Sequence, residues 1–257
     1  MNIKKLIPLI TIFLVLILWE CSVRLFKIPT LVLPSPLLIF NSLIQKEDLF
    51  VSFSIPTLVE IFYGFSLAAF CGIVLGISVS FSSFAKASIF PLLISSQMVP
   101  KVAIAPVLTI WFGSGLMAKT LIAFLIAFFP ITISTMVGLD AVDPEMVKMF
   151  KAMGAGPYTT FMKLRLPTAL PNIFAGLKIG MSLAVVGAVV AEFVAADKGL
   201  GYYLLYANGQ LDSPGVFASL FLLTVIGVTL YYAVEIAEYY LVPGVLHKER
   251  KMDNFSM

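Results

Sequence analysis

From Leu121 to Gly138 the chain carries no charged side chain, and five other stretches come close to that condition. A bilayer core about 30 Å thick needs roughly 20 helical residues to cross it. Six stretches qualify, approximately Leu6–Leu25, Leu58–Phe81, Ala87–Phe112, Leu121–Gly138, Ile173–Ala196 and Val216–Tyr240. Composition agrees: 60% of residues are hydrophobic and 12% charged, where a soluble domain runs near ~25% charged. The expected fold is all-α: a polytopic membrane protein of six transmembrane helices, one domain over residues 1–257. The third span is the least regular, because Pro91, Pro100 and Pro106 each remove a backbone donor.

Positive charge orients the bundle. Lys4 and Lys5 precede the first span, and Lys86 lies between the second and third. Lys148, Lys151, Lys163 and Arg165 follow the fourth, and Lys248, Arg250 and Lys251 follow the sixth. With alternating helices all four positions fall on one side, the cytoplasm, so both termini are expected there. The opposite loops are mixed or acidic (Lys46-Glu-Asp48, Asp197-Lys198, Asp212), with Arg24 and Lys27 as exceptions. Lys4-Lys5 and the apolar run after them have the layout of a signal peptide, and Cys21 the look of a lipoprotein site. Bulky Trp19 and charged Glu20 stand where small residues are needed, so the segment reads as a membrane helix. Leu33-Pro34-Ser35-Pro36 reads as a rigid extended turn leading to a short polar external segment up to about Ser54.

The segment between the fourth and fifth spans, residues 140–170, is a basic island that cannot lie in hydrocarbon. Asp143-Pro144-Glu145 is a helix start: a cap, a proline suited to the first position, and an acid at the positive end of the dipole. The helix is expected over Pro144–Met153, with Gly154 suited to a left-handed C-terminal position. A second short helix restarts at Pro157 and runs toward Leu164, before Leu166-Pro167 turns the chain. Val147, Phe150 and Met153 share one apolar edge, and Lys148 and Lys151 another face. Tyr158, Phe161 and Leu164 repeat the apolar spacing. Two readings stand: an amphipathic loop on the headgroups, or a rigid docking knob.

Gly154, nine further residues and Leu164-Arg165-Leu166-Pro167 resemble the cytoplasmic "EAA" loop signature of ABC importer permease subunits. Other blocks are similar to the nitrate/sulfonate/taurine branch, which also holds pyrimidine-precursor and riboflavin permeases. They are Leu33-Pro34-Ser35-Pro36, Pro106 with Trp111-Phe112-Gly113, Phe128-Phe129-Pro130, Asp143-Pro144, Ala191-Glu192 and Gly199-Leu200-Gly201-Tyr202. The resemblance implies a two-helix cytoplasmic loop that couples to a separate ATP-hydrolysing subunit dimer. Its coupling residues are then Lys148, Lys151, Gly154, Ala155, Tyr158, Phe161, Leu164, Leu166 and Pro167. It also implies an external solute-binding protein and a second copy of the chain completing the pore. One departure is plain: Lys148 stands where the signature Glu is expected, and Met149 and Phe150 at its two Ala positions.

Other chemistry is excluded. Gly113-Ser-Gly-Leu-Met-Ala118-Lys119-Thr120 only approaches a phosphate-binding loop, since Ala118 replaces the required Gly and no strand can precede it. Cys21 and Cys71 lack any Cys/His spacing, and His247 stands alone in a polar tail. No metal, cofactor or catalytic residue is expected, and no basic-aromatic block suggests nucleic acid. A membrane-embedded enzyme would need paired carboxylates or an activated nucleophile at depth. A stand-alone secondary carrier or channel is the main alternative; it would not need a docking knob, and no internal repeat is evident.

Three residues within spans bear on a path. Gln97 and Lys101 are candidates to line it, with Lys101 roughly 22 Å from the cytoplasmic edge if the span is straight. Alternatively Lys101 pairs internally or reaches the outer interface through a kinked span. Glu192 either belongs to an external gate or hydrogen-bonds a neighbouring helix. Lys178 is expected to snorkel to the inner interface, near Glu235 and Glu238.

Overall fold

A computed structural model describes residues 3–242, and among them all regular structure is helical. The expectations placed on Lys248, Arg250, Lys251 and His247 lie outside the described residues. The chain forms two compact units. One comprises the chain up to Thr57 with Ala196–Val225, the other Leu58–Ala195 with the chain from Ile226 onward.

The first unit contains α1 (Ile3–Leu25), α2 (Pro36–Gln45), the beginning of α3 (Glu47–Ser80), α10 (Leu200–Gly209) and the beginning of α11 (Ser213–Leu241). The segment read as an extended turn and polar loop is therefore largely helical. Ser35 caps α2, its side chain accepting from the Leu38 N–H, and Pro36 takes the first position. Lys46 fastens this unit: its ammonium lies 2.5 Å from Asp212 Oδ2 and 3.3 Å from the Tyr203 hydroxyl. Burial works against that charge, but the bond to Asp212, helped by Tyr203, outweighs it and holds Lys46 above the ordinary lysine value. The Phe50 and Tyr203 rings meet edge to face at 5.1 Å, beneath the same contact.

The second unit holds the rest of α3 and α11, with α4 (Ser83–Gln97), α5 (Lys101–Phe112), α6 (Leu116–Asp140), α7 (Pro144–Ala152), α8 (Pro157–Thr160) and α9 (Leu166–Ala195). Among the described residues four helices are long and apolar enough to cross a membrane: α3, α6, α11 and the continuous helix Pro157–Ala195. The third expected span, Ala87–Phe112, is not one kinked helix. It breaks into α4 and α5, which meet at 93° and would together make a fifth crossing. Pro100 explains the break: it has no N–H to give and disfavours helical geometry at Val99.

The expected turn at Leu166-Pro167 is also absent. A π-type turn over Phe161–Arg165 joins α8 to α9, and the Leu166 N–H reaches back five residues to the Phe161 carbonyl. The wider turn before Pro167 lets the helix pass the proline without a break.

α6 and α9 form the spine of this unit. Small residues set their separation. A Cβ on Gly187 would sit 2.6 Å from Ala123 Cα, and one on Gly176 would sit 2.5 Å from Ser134 Cβ. Lipid offers no hydrophobic force between helices, so attraction comes from close van der Waals contact, which these residues permit. Ile131, Ala127, Ala184 and Ala188 fill the rest of the seam. Gly187→Val is expected to overpack it and cost about 1–3 kcal/mol. Thermal unfolding in detergent measures this, and an unchanged midpoint would show that the seam does not set helix spacing.

Candidate functional site: a docking tip and a buried charge cluster

The tip of the second unit is built by local signals. Asp143 Oδ1 accepts from the Glu145 N–H at 2.8 Å and starts α7, with Pro144 at its first position. Beyond the helix Gly154 adopts φ +79°, and the Ala155 N–H donates to the Phe150 carbonyl at 3.0 Å. That left-handed residue lets the chain reverse and re-enter a helix at Pro157. Lys86 pairs with Asp140 at 2.5 Å, so the α3–α4 turn and the base of the tip share one end of the unit.

The predicted coupling residues divide into two groups. Leu164 is buried, Phe161 lies against Phe81 with ring centroids 5.1 Å apart, and Leu166 packs on Leu139, Ala169 and Ile173. These hold the tip to α3 and α6. Lys148, Lys151, Gly154, Tyr158 and Pro167 face outward, with Ala155 half-buried. The apolar edge expected from Val147, Phe150 and Met153 is split: the first two are half-buried, whereas Met153 is 66% exposed. Met146, Met149 and Met162 are exposed as well, and Tyr158 is 73% exposed, so the tip carries several flexible apolar side chains with exposed lysines interspersed in the sequence. Met146 and Met162 were not singled out in the sequence, although the spacing of methionines within a basic island was the available signal.

Gln97 ends α4, exposed, and Lys101 begins α5, so the two flank the bend. The Lys101 ammonium stands 4.9 Å from the centroid of Phe129, a residue halfway along α6. A ring face stabilises a cation there without a carboxylate. Lys178 does not simply snorkel; it pairs with Glu238 at 2.7 Å.

Glu192 sits in a cluster. It is 1% exposed and interacts electrostatically with Glu60, which is 2% exposed and receives a hydrogen bond from the Lys119 ammonium at 2.9 Å. These groups come from α9, α3 and α6, at the end of the unit opposite the tip. Glu60 and Lys119 were missed because each stands alone at the edge of an apolar run. Their opposite charges at matching depth on two spans were the signal.

These features describe an all-helical bundle with helices of membrane-spanning length and a projecting tip of exposed methionines and lysines. The comparisons make that specific. Residues 68–247 match the family of binding-protein-dependent transport system inner membrane components. The chain is 35% identical to the formylaminopyrimidine transport permease ThiX of Halalkalibacterium halodurans, over 93% of this chain and 96% of that one. It is 36% identical to the riboflavin transport system permease RibX of Chloroflexus aurantiacus, over 91% and 88%. A structure of the MetNI methionine ABC transporter, in an inward-facing conformation, shares the fold at TM-score 0.56 and 22% identity, covering 71% of this chain and 91% of that one. The chain belongs to the family of binding-protein-dependent ABC importer permeases. It is a non-enzymatic transport subunit of the inner membrane; its family works with a separate ATP-binding subunit and a solute-binding protein.

Removing Lys119 while Glu60 stays buried leaves an uncompensated charge. Lys119→Met is therefore expected to cost about 3–5 kcal/mol, and adding Glu60→Leu to recover most of it. Thermal unfolding of the purified variants measures both, and equal losses in the single and double variants would dissociate the two residues.

Proposed function

We propose that residues 140–170 are the surface on which the ATP-binding subunit docks from the cytoplasm, and that α9 carries the resulting motion across the bilayer. The observation that carries this reading is the set of exposed methionine and tyrosine side chains on a tip whose base is packed. Soft apolar side chains with lysines among them suit a partner with an apolar hollow and acidic groups. The continuous helix Pro157–Ala195, about 58 Å long at 1.5 Å per residue, links the tip to the Glu192 cluster. Closure of the ATPase dimer biases this element between two arrangements.

Six spans, with α1 as the first and α4–α5 as a bent third, put both termini in the cytoplasm. They form a single transmembrane domain over the chain. Two copies enclose the path, and Gln97 and Lys101 line it at mid-depth. Glu192 holds the outer helix ends around it. The solute is a small organic nutrient of the kind named for the relatives, a pyrimidine or vitamin precursor, with a sulfonate-like anion as the alternative that Lys101 favours.

A Cβ at Gly154 meets nothing within 4 Å, so a large side chain there strains only the local turn in the isolated chain, by about 1–3 kcal/mol. Gly154→Trp is expected to keep the bundle folded but abolish co-purification with the ATP-binding subunit. Retained assembly and uptake would remove the tip from the interface. Lys101→Met is expected to reduce uptake and substrate-stimulated ATP hydrolysis at least tenfold, about 1.4 kcal/mol. Unchanged rates in reconstituted vesicles would take Lys101 out of the path.

A further inference from the structure

Arg24 and Lys27 are the cations that the charge pattern of the loops leaves over, and both stand at the end of α1, beside a groove of the first unit. Leu16 and Trp19 of α1, Ile39 and Leu43 of α2, and Phe217 and Phe221 of α11 line this groove, which holds about 420 Å³ of free space. Ligand sites run from roughly 300 to 1,000 Å³. Thr224 also lines it, but its hydroxyl already donates to the Leu220 carbonyl at 2.8 Å. Trp19 brings an indole N–H that is buried and has no acceptor among the described residues. A lining so apolar takes a hydrocarbon chain rather than a polar solute.

Charge marks one end of the groove. Glu20 accepts from the Leu37 N–H at 3.2 Å, one residue past the lining Pro36, and from the Arg24 Nε–H at 2.6 Å. The Glu20 and Arg24 charges cancel, yet the Arg24 side chain stays 67% exposed beside the start of α2. Lys27 is exposed, has no ion-pair partner among the described residues, and is the charge left over. It ends α1 at φ +50°, where glycine is the ordinary terminator, so the turn itself gives no reason for a lysine.

We propose that this groove binds one acyl chain of an anionic phospholipid, whose phosphate rests against Arg24 and Lys27. The guanidinium fork matches phosphate oxygens, and Lys27 supplies the net charge. Trp19 lies five residues before Arg24, about 7–8 Å along the helix. An ester carbonyl following the phosphate comes level with it and offers the acceptor its N–H lacks. A neutral lipid fills the same space but leaves Lys27 unmatched; one such charge gives the anionic lipid roughly a fivefold preference. The inference rests on the reading of α1 as the first membrane span.

Trp19 is its own probe, since Trp111 is the one other tryptophan of the sequence. With Trp111→Phe, the chain is reconstituted in phosphatidylcholine vesicles holding a minor share of phosphatidylglycerol, with bromine on the acyl chains of one lipid or the other. Mole for mole, brominated phosphatidylglycerol is expected to quench Trp19 about fivefold more than brominated phosphatidylcholine, and Lys27→Gln to abolish that preference. Leu43→Phe narrows the groove and is expected to weaken quenching by the anionic lipid. Equal quenching by the two lipids would reduce the groove to ordinary lipid contact and overturn the inference, as would a preference that survives Lys27→Gln. A control separates this failure from that of the α1 span. Leu18 is 60% exposed on the same helix, and Leu18→Trp with Trp19→Phe and Trp111→Phe puts the sole tryptophan at position 18. Quenching by both lipids there, with none at Trp19, would mean that a second copy covers the groove, against the inference. No quenching at either position would take α1 out of the bilayer as well.

Discussion

The close approach of α6 and α9 is the constraint on which the second unit depends. Inside a bilayer two apolar helices gain nothing from leaving lipid unless they touch more atoms than lipid supplies. Gly138, Gly176, Gly180 and Gly187 each stand where a Cβ would collide with the neighbouring helix or its side chains. The seam thus has one workable spacing and register. That register puts Glu192 and Lys119 at one end of the pair, and Leu139, Ala169 and Ile173 at the other, under the tip. The placement of the tip and of the buried charges follows from one packing solution.

The same seam explains why the tip can be exposed without being loose. Among the α7 residues none is buried, and a helix of that length has little stability of its own in water. Its shape is set from below: Leu164, Phe161 and Leu166 hold the start of the following helix to α3 and α6, and the left-handed Gly154 fixes how the chain returns. The Met and Tyr side chains above remain free to adapt to a partner. A rigid backbone with pliable side chains is a combination suited to repeated docking.

Local chemistry was legible in the sequence, and long-range chemistry was not. The cap at Asp143, Pro144 behind it and the glycine at 154 are read by their immediate neighbours, so the start of α7 and its reversal could be placed from residues alone. The continuation through Pro167 could not, because a proline ordinarily ends a helix and the π-type turn that accommodates it leaves no mark in composition. Helices α2 and α10 are short and apolar on most faces, which gives neither the length of a span nor a clear period. The contact of Lys119 with Glu60 joins positions 59 apart. Such pairs become visible only when the helices are set side by side, although the cost of a lone charge in hydrocarbon demands that partners exist.

That cost also bears on how a push at the tip could reach the far end of α9. A lever is useful only if its far end has discrete resting states, since packed interiors do not deform smoothly. A greasy contact slides with little penalty for a small displacement. A buried hydrogen-bonded charge cluster does not: its members are satisfied at hydrogen-bonding distance and heavily penalised beyond it. If α9 is the lever proposed above, the buried Glu60–Lys119 pair beside Glu192 would give its far end an all-or-none contact.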